Sequence, residues 1–163
     1  MNNIILIGMP GVGKSTVGVV LAKMIGYKFL DSDLLIQDRE NLLLHELIDK
    51  YGLERFNQIE SEVNASIVAE DTVIATGGSA IYGTEAMMHL KSIGTIVYLK
   101  LPYEEIVKRL GDINDRGISI RPGETLASLY EKRIPLYERY ADVTIDCENL
   151  TIPEIVKKIS YLF

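Results

Sequence analysis

A chain of 163 residues with 47% hydrophobic and 25% charged side chains fits one globular domain and leaves no room for a second of normal size. No apolar run approaches the length of a membrane span, and 17 Lys plus Arg against 23 Asp plus Glu give a net charge of −6, which disfavours long nucleic acids as partners. The single cysteine, Cys147, excludes an internal disulfide and, with no basic apolar leader at the start, sets the expectation of a cytoplasmic protein, taken here as a monomer.

Ile4 to Ile7 reads as a first strand. It runs directly into Gly8-Met9-Pro10-Gly11-Val12-Gly13-Lys14-Ser15, a complete GxxxxGK[ST] sequence, and then into Val17, Val20, Leu21 and Met24 at helical spacing, with Gly26 as the expected C-terminal cap. Strand, glycine loop and helix in that order predict a cradle of backbone N–H groups for phosphates, backed by the positive end of the helix. The nucleotide contacts are expected from Gly11, Val12, Gly13, Lys14, Ser15 and Thr16, with Lys14 on the outer phosphates and the Ser15 hydroxyl on magnesium. ATP and Mg2+ are the implied cofactors.

Tyr27 to Leu30 predicts a second strand, ending in Asp31-Ser32-Asp33. Residues i and i+2 of an extended chain face the same side, so both carboxylates are expected to face one site, although either acid also suits a helix N-cap. Leu34 to Arg39, Leu42 to Tyr51 and Arg55 to Val68 each carry helical periodicity, broken by turn signals near Asn41 and Gly52. Thr72 to Ala75 is a buried strand stopped by Gly77-Gly78. Glu85 to Lys91 is helical, Thr95 to Leu99 a strand and Tyr103 to Leu110 a helix. Gly111 to Gly123 has arginines, glycines and a proline without apolar period, and reads as a loop or lid. Thr125 to Arg139 is helical with an expected interruption at Pro135, followed by strand Val143 to Asp146 and helix Pro153 to Leu162. The alternation predicts an α/β fold, a parallel five-stranded sheet with helices on both faces. In such a sheet the carboxyl ends of the strands share one edge, so Asp31 and Asp33 should lie near the phosphate loop. His45, His89, Met87, Met88, Tyr130, Tyr137 and Tyr140 read as structural or packing residues.

These motifs together resemble the shikimate kinase family. The resemblance covers nearly the whole chain and is carried by Gly8 to Ser15, Asp31-Ser32-Asp33, Phe56-Asn57-Gln58-Ile59-Glu60, Thr76-Gly77-Gly78, Arg116, Arg133-Ile134-Pro135-Leu136-Tyr137 and Ala141-Asp142. It implies a P-loop NTPase of the nucleoside-monophosphate-kinase type, with a helical substrate-binding insertion at about 34–68 and a short lid at about 111–123. The implied activity is transfer of the γ-phosphate of ATP to a hydroxyl of a small cyclic hydroxy acid. By the same resemblance Asp33 binds the acceptor hydroxyls as base or orienting group, Asp31 supports magnesium through water, and Gly77 and Gly78 bring backbone N–H groups to the substrate. Arg116 enters with the lid, Arg133 grips the substrate carboxylate, and Arg109 stands where the family stacks an arginine on adenine.

The chain departs from the pattern at three places. Asn57 stands where the family carries an arginine that clamps the acid together with the counterpart of Arg133, and Arg55 lies about 200° away around a helix. One lost charge-assisted contact is worth roughly 1.5 to 3 kcal/mol, or about one to two orders of magnitude in affinity. Ser79 replaces the third glycine of a Gly-Gly-Gly turn. In the lid Arg116 is followed by Gly117, and Arg121-Pro122 comes five residues later, so either arginine is a candidate for the site. Asn57 leaves open a kinase of the same fold with another polyol, hydroxy acid or nucleoside as acceptor. A non-catalytic nucleotide-binding relative is the further alternative.

Overall fold

The computed structural model describes residues 2–111 and 121–163. Five strands, β1 (Asn3–Ile7), β2 (Lys28–Asp31), β3 (Thr72–Ala75), β4 (Gly94–Lys100) and β5 (Val143–Asp146), form one sheet in the order β2-β3-β1-β4-β5. Every pairing is parallel, with Ile5 opposite both Ile74 and Ile96 at the centre. β1 and β3 are buried at every position, as expected for apolar strands covered on both faces.

The crossovers are α1 (Lys14–Ile25), α2 (Ser32–Glu40), α3 (Leu44–Ala65), α4 (Thr84–Ile93), α5 (Tyr103–Leu110) and α6 (Leu126–Tyr140), with a short 3-10 turn at Ala80–Tyr82, and α7 (Ile152–Ser160) follows the last strand. α1 packs on α7, and α3 packs on α4. The inserted helices α2 and α3 also make a small core of their own from Ile36, Leu47, Phe56, Ile59 and Val63. Burying these side chains fixes α3 beside the mouth of the sheet.

The structure moves five expected boundaries or assignments. α2 begins at Ser32 rather than Leu34, because Asp31 Oδ1 accepts the Asp33 N–H at 3.0 Å and caps the helix. The two expected segments of the insertion are halves of one helix kinked at Gly52, whose φ of 80° lies in the left-handed region open to glycine. α3 ends at Ala65, leaving Val68 exposed. Pro135 does not interrupt α6, whose buried face of Leu129, Arg133 and Tyr137 runs through it. Met87 is fully buried whereas Met88 is exposed, so only the first packs in the core.

A buried asparagine ties the amino ends of this sheet together. Asn3 Nδ2 donates to the Ala69 carbonyl at 2.8 Å and the Ile93 carbonyl at 2.9 Å, while its Oδ1 accepts the Thr72 N–H at 3.0 Å. Asn3→Ala strips three main-chain groups of their partner in an environment with little water. We expect a loss of about 2–3 kcal/mol in urea unfolding, with an unchanged α/β circular dichroism spectrum.

Candidate active site

The site is built on the carboxyl edge of the sheet. β1 delivers the glycine loop, β2 delivers Asp31 and α2, and β3 delivers Thr76-Gly77-Gly78. The Thr76 hydroxyl donates to the Leu6 carbonyl at 2.9 Å, which holds the end of β3 against β1 just before the turn. Together with α3 and α6 these segments enclose a cavity of about 500 Å³.

The loop follows the geometry its glycines permit. Gly8, Gly11 and Gly13 have φ of 149°, 82° and 99°, and a Cβ on Gly8 would stand 2.7 Å from the Leu99 carbonyl oxygen. Val12 is fully buried and does not line the cavity, unlike Gly11, Gly13, Lys14, Ser15 and Thr16 around it. Lys14 turns back into the loop, donating to the carbonyls of Gly8 at 2.6 Å and Met9 at 2.9 Å. Burial pulls its ammonium down to about 8, and the neighbouring Asp33 charge opposes that shift. Ser15 and Thr16 are exposed at the mouth. The Ser15 hydroxyl donates to Asp31 Oδ2 at 2.7 Å, so the two expected magnesium ligands are already neighbours.

Asp33 is half-buried in the first turn of α2 and lines the cavity. The extended-chain argument for pairing it with Asp31 is therefore corrected. Asp33 faces the site from a helix that Asp31 caps, not from the strand. Burial pushes its carboxyl up to about 6, reinforced by Asp31 and opposed by Lys14. A Cβ on Gly77 would stand 2.9 Å from Asp33 Oδ1 and 2.6 Å from Glu60 Oε2, and one on Gly78 would stand 2.8 Å from Arg133 Nη1. Two bare backbone positions thus bring two acids and one guanidinium together.

Arg133 is 1% exposed, its charge buried beneath the turn. Its Nε donates to the Tyr82 hydroxyl at 3.2 Å, and the guanidinium carbon sits 5.4 Å from the centre of that ring. Tyr137, one turn along α6, donates its hydroxyl to the Gly78 carbonyl at 2.6 Å and stacks on Tyr98 at 5.2 Å. Burial pushes its phenol far above the usual range, so it stays a donor. Ser79 turns its hydroxyl into the protein, donating to Glu60 Oε1 at 2.6 Å.

Other expected positions are less central. Asn57 is half-buried on α3 beside Phe56, whose ring lines the cavity. Arg55 points to the outer face, 3.4 Å from Glu62, and does not replace the missing arginine. Arg109 is exposed and lies across the glycine loop, with Nη1 donating to the Val12 carbonyl at 3.3 Å. Arg121 lies beside the Gly52 kink with Ile48 and Leu53, away from the cavity. Arg116 and most of the expected lid lie outside the described residues.

Two residues of the site, Glu60 and Tyr137, stand in motifs that carry the family resemblance but have no site role in the sequence: Glu60 is an acid beside the apolar stripe Phe56, Ile59 and Val63, and Tyr137 one tyrosine among several on a helix face. Neither signal names a role.

A parallel sheet in this strand order, with a glycine cradle, an invading lysine, one acid at the end of β2 and another in the first turn of α2, defines a P-loop phosphotransferase of the nucleoside-monophosphate-kinase type. The sequence pattern of the shikimate kinase family matches residues 10–162. A shikimate kinase from Thermodesulfovibrio yellowstonii is 39% identical over 162 residues, spanning 98% of this chain and 93% of that protein. One from Francisella tularensis subsp. novicida is 39% identical over 164 residues, spanning 97% and 92%. Among solved structures, the Acinetobacter baumannii shikimate kinase in complex with shikimate has a TM-score of 0.89 at 32% identity, covering 99% of this chain and 92% of its own. The Aquifex aeolicus shikimate kinase has a TM-score of 0.82 at 34% identity, covering 98% and 94%. The chain belongs to the shikimate kinase family, phosphotransferases with a hydroxyl as acceptor.

Gly77→Ala places a methyl group against both pocket carboxylates. We expect turnover to fall about ten- to a hundredfold, a rise of roughly 1.4–2.7 kcal/mol in the barrier, while ATP affinity measured by calorimetry is retained.

Proposed function

We propose that this chain transfers the γ-phosphate of ATP to a hydroxyl of a small cyclic hydroxy acid, with shikimate as acceptor and shikimate 3-phosphate as product. The observation that carries the reading is the placing of Asp33 against Gly77 and of Arg133 against Gly78 in one cavity with Lys14. A carboxylate able to accept a hydroxyl proton thus flanks one residue of the turn, and a buried guanidinium that suits a carboxylate flanks the next. Their meeting in one cavity suits a compact molecule bearing both a hydroxyl and a carboxylate.

Phosphoryl transfer passes through a loose transition state, so the work of the protein is alignment and charge stabilisation. Lys14 and the loop amides from Gly11 to Ser15 stabilise the phosphates. Asp33 orients the acceptor hydroxyl and takes its proton, Arg133 holds the carboxylate, and the Gly77 and Gly78 amides approach the substrate. Arg116 adds positive charge from the lid, and Arg109 covers the adenine. The Ser15 hydroxyl and Asp31 carboxylate are hard oxygen ligands that suit Mg2+, Asp31 through water, and the bound ion supplies charge neutralisation at the phosphates.

Asn57 favours one second reading, a kinase of the same fold acting on another hydroxy acid or polyol. The acid and arginine at the Gly77-Gly78 turn argue against a purely nucleotide-binding role, which needs no acceptor wall. Coupled ADP release with shikimate, other hydroxy acids, gluconate and nucleoside monophosphates separates the three. Shikimate-dependent release supports the first reading, and release with another acceptor alone replaces it.

Lys14→Ala should abolish phosphate transfer. Asp33→Asn should leave ATP binding nearly intact while lowering acceptor-dependent turnover about 10²- to 10⁴-fold, the usual worth of a positioned base. Full transfer by the lysine variant would refute its assignment. Asn57→Arg should tighten shikimate about ten- to a hundredfold in steady-state KM, the value of one charge-assisted contact.

A further inference from the structure

Glu60 is 2% exposed and belongs to the cavity wall. Its Oε1 accepts the Ser79 hydroxyl at 2.6 Å, and its Oε2 is turned to Gly77, where a Cβ would meet it at 2.6 Å and Asp33 Oδ1 at 2.9 Å. The two acid oxygens therefore lie within roughly 5.5 Å of each other around one bare backbone position. The charged and titratable groups that face Glu60 are Asp33 from α2, Arg133 and Tyr137 from α6, and Lys14 from α1. Three residues earlier on α3, at the adjacent position one turn away, stands the neutral Asn57. Lys14 serves the phosphates, so among the described residues lining the cavity Arg133 is the one cation left for the acceptor. An ionised Glu60 places a second negative charge on the wall that must receive an anion.

We propose that Glu60, held by Ser79, is a specificity-determining residue that enters the acceptor complex as a neutral carboxylic acid, so that the site takes up one proton from solvent when it binds a monoanionic hydroxy acid. This rests on the hydroxy-acid reading of the site. Ser79 occupies Oε1 as a donor, which assigns the acid proton to Oε2, the oxygen turned toward the cavity, where it can be donated to an acceptor oxygen. Burial pushes the Glu60 acid up to about 7; the Ser79 hydrogen bond opposes this, Asp33 reinforces it, and Arg133 and Lys14 oppose it. Below that pH the neutral form is already in place and binding takes up no proton. Above it each bound anion must bring one, and affinity falls about tenfold per pH unit.

The test is calorimetric titration of the whole protein with shikimate, without nucleotide, between pH 5.5 and 8.5 in two buffers of different ionisation enthalpy. Expected is proton uptake near zero at the acid end and approaching one at the alkaline end, with Kd rising about ten- to thirtyfold across the alkaline limb. Glu60→Gln should abolish both the uptake and the slope. Ser79→Ala should move the inflection to higher pH, because it removes a bond that favours the ionised acid. Melting curves establish that both variants fold. A wild-type Kd independent of pH, or a Glu60→Gln slope equal to that of wild type, overturns the inference alone. No shikimate binding at any pH overturns the proposed acceptor and this inference with it.

Discussion

The site depends on the absence of side chains at Gly77 and Gly78. Asp33, Glu60 and Arg133 come from three different helices, and they meet because the turn after β3 leaves bare backbone between them. Pro10 from the phosphate loop closes on the same turn, 2.8 Å from where a Gly78 Cβ would stand. The sheet makes this possible. Parallel strands deliver the glycine loop, Asp31 and the Gly77-Gly78 turn to one edge, so the proposed phosphate and acceptor sites meet without a long connection.

Concentrating charge there has a cost in stability. Asp33 and Glu60 both have acids raised above their ordinary values, so each adds stability at low pH that is lost as pH rises through about 6 and about 7. Lys14 is lowered, and its penalty appears as pH falls through about 8. At neutral pH the folded chain therefore holds several charges that burial disfavours. On the proposed assignment, phosphates in the cradle and a carboxylate at Arg133 would supply opposite charge to the cations of this set.

The fold was legible because its signals are local. A strand feeding a glycine loop, apolar β-branched runs and helical periodicity each sit within a dozen residues, and the five strands form where those patterns place them. Asp31 and Asp33 were legible as a pair but not in their geometry, since a helix cap and an extended strand differ by one hydrogen bond that the sequence does not announce. Pro135 misled because the buried face of α6 outweighs the single amide hydrogen bond that proline removes. Glu60 and Tyr137 were not legible as site residues. Their roles arise from partners 19 and 59 positions away, Ser79 and the Gly78 carbonyl, which only the folded chain brings near.

The resting hydrogen bonds of the phosphate loop bear on how ligands enter. Lys14 is satisfied by two carbonyls of its own loop, and the Ser15 hydroxyl by Asp31. On the proposed assignment, nucleotide and metal would enter by exchange of partners, each incoming oxygen or cation displacing a contact already made, rather than by filling a gap between naked charges. Part of the gross attraction for phosphate would then be spent in trading one set of contacts for another.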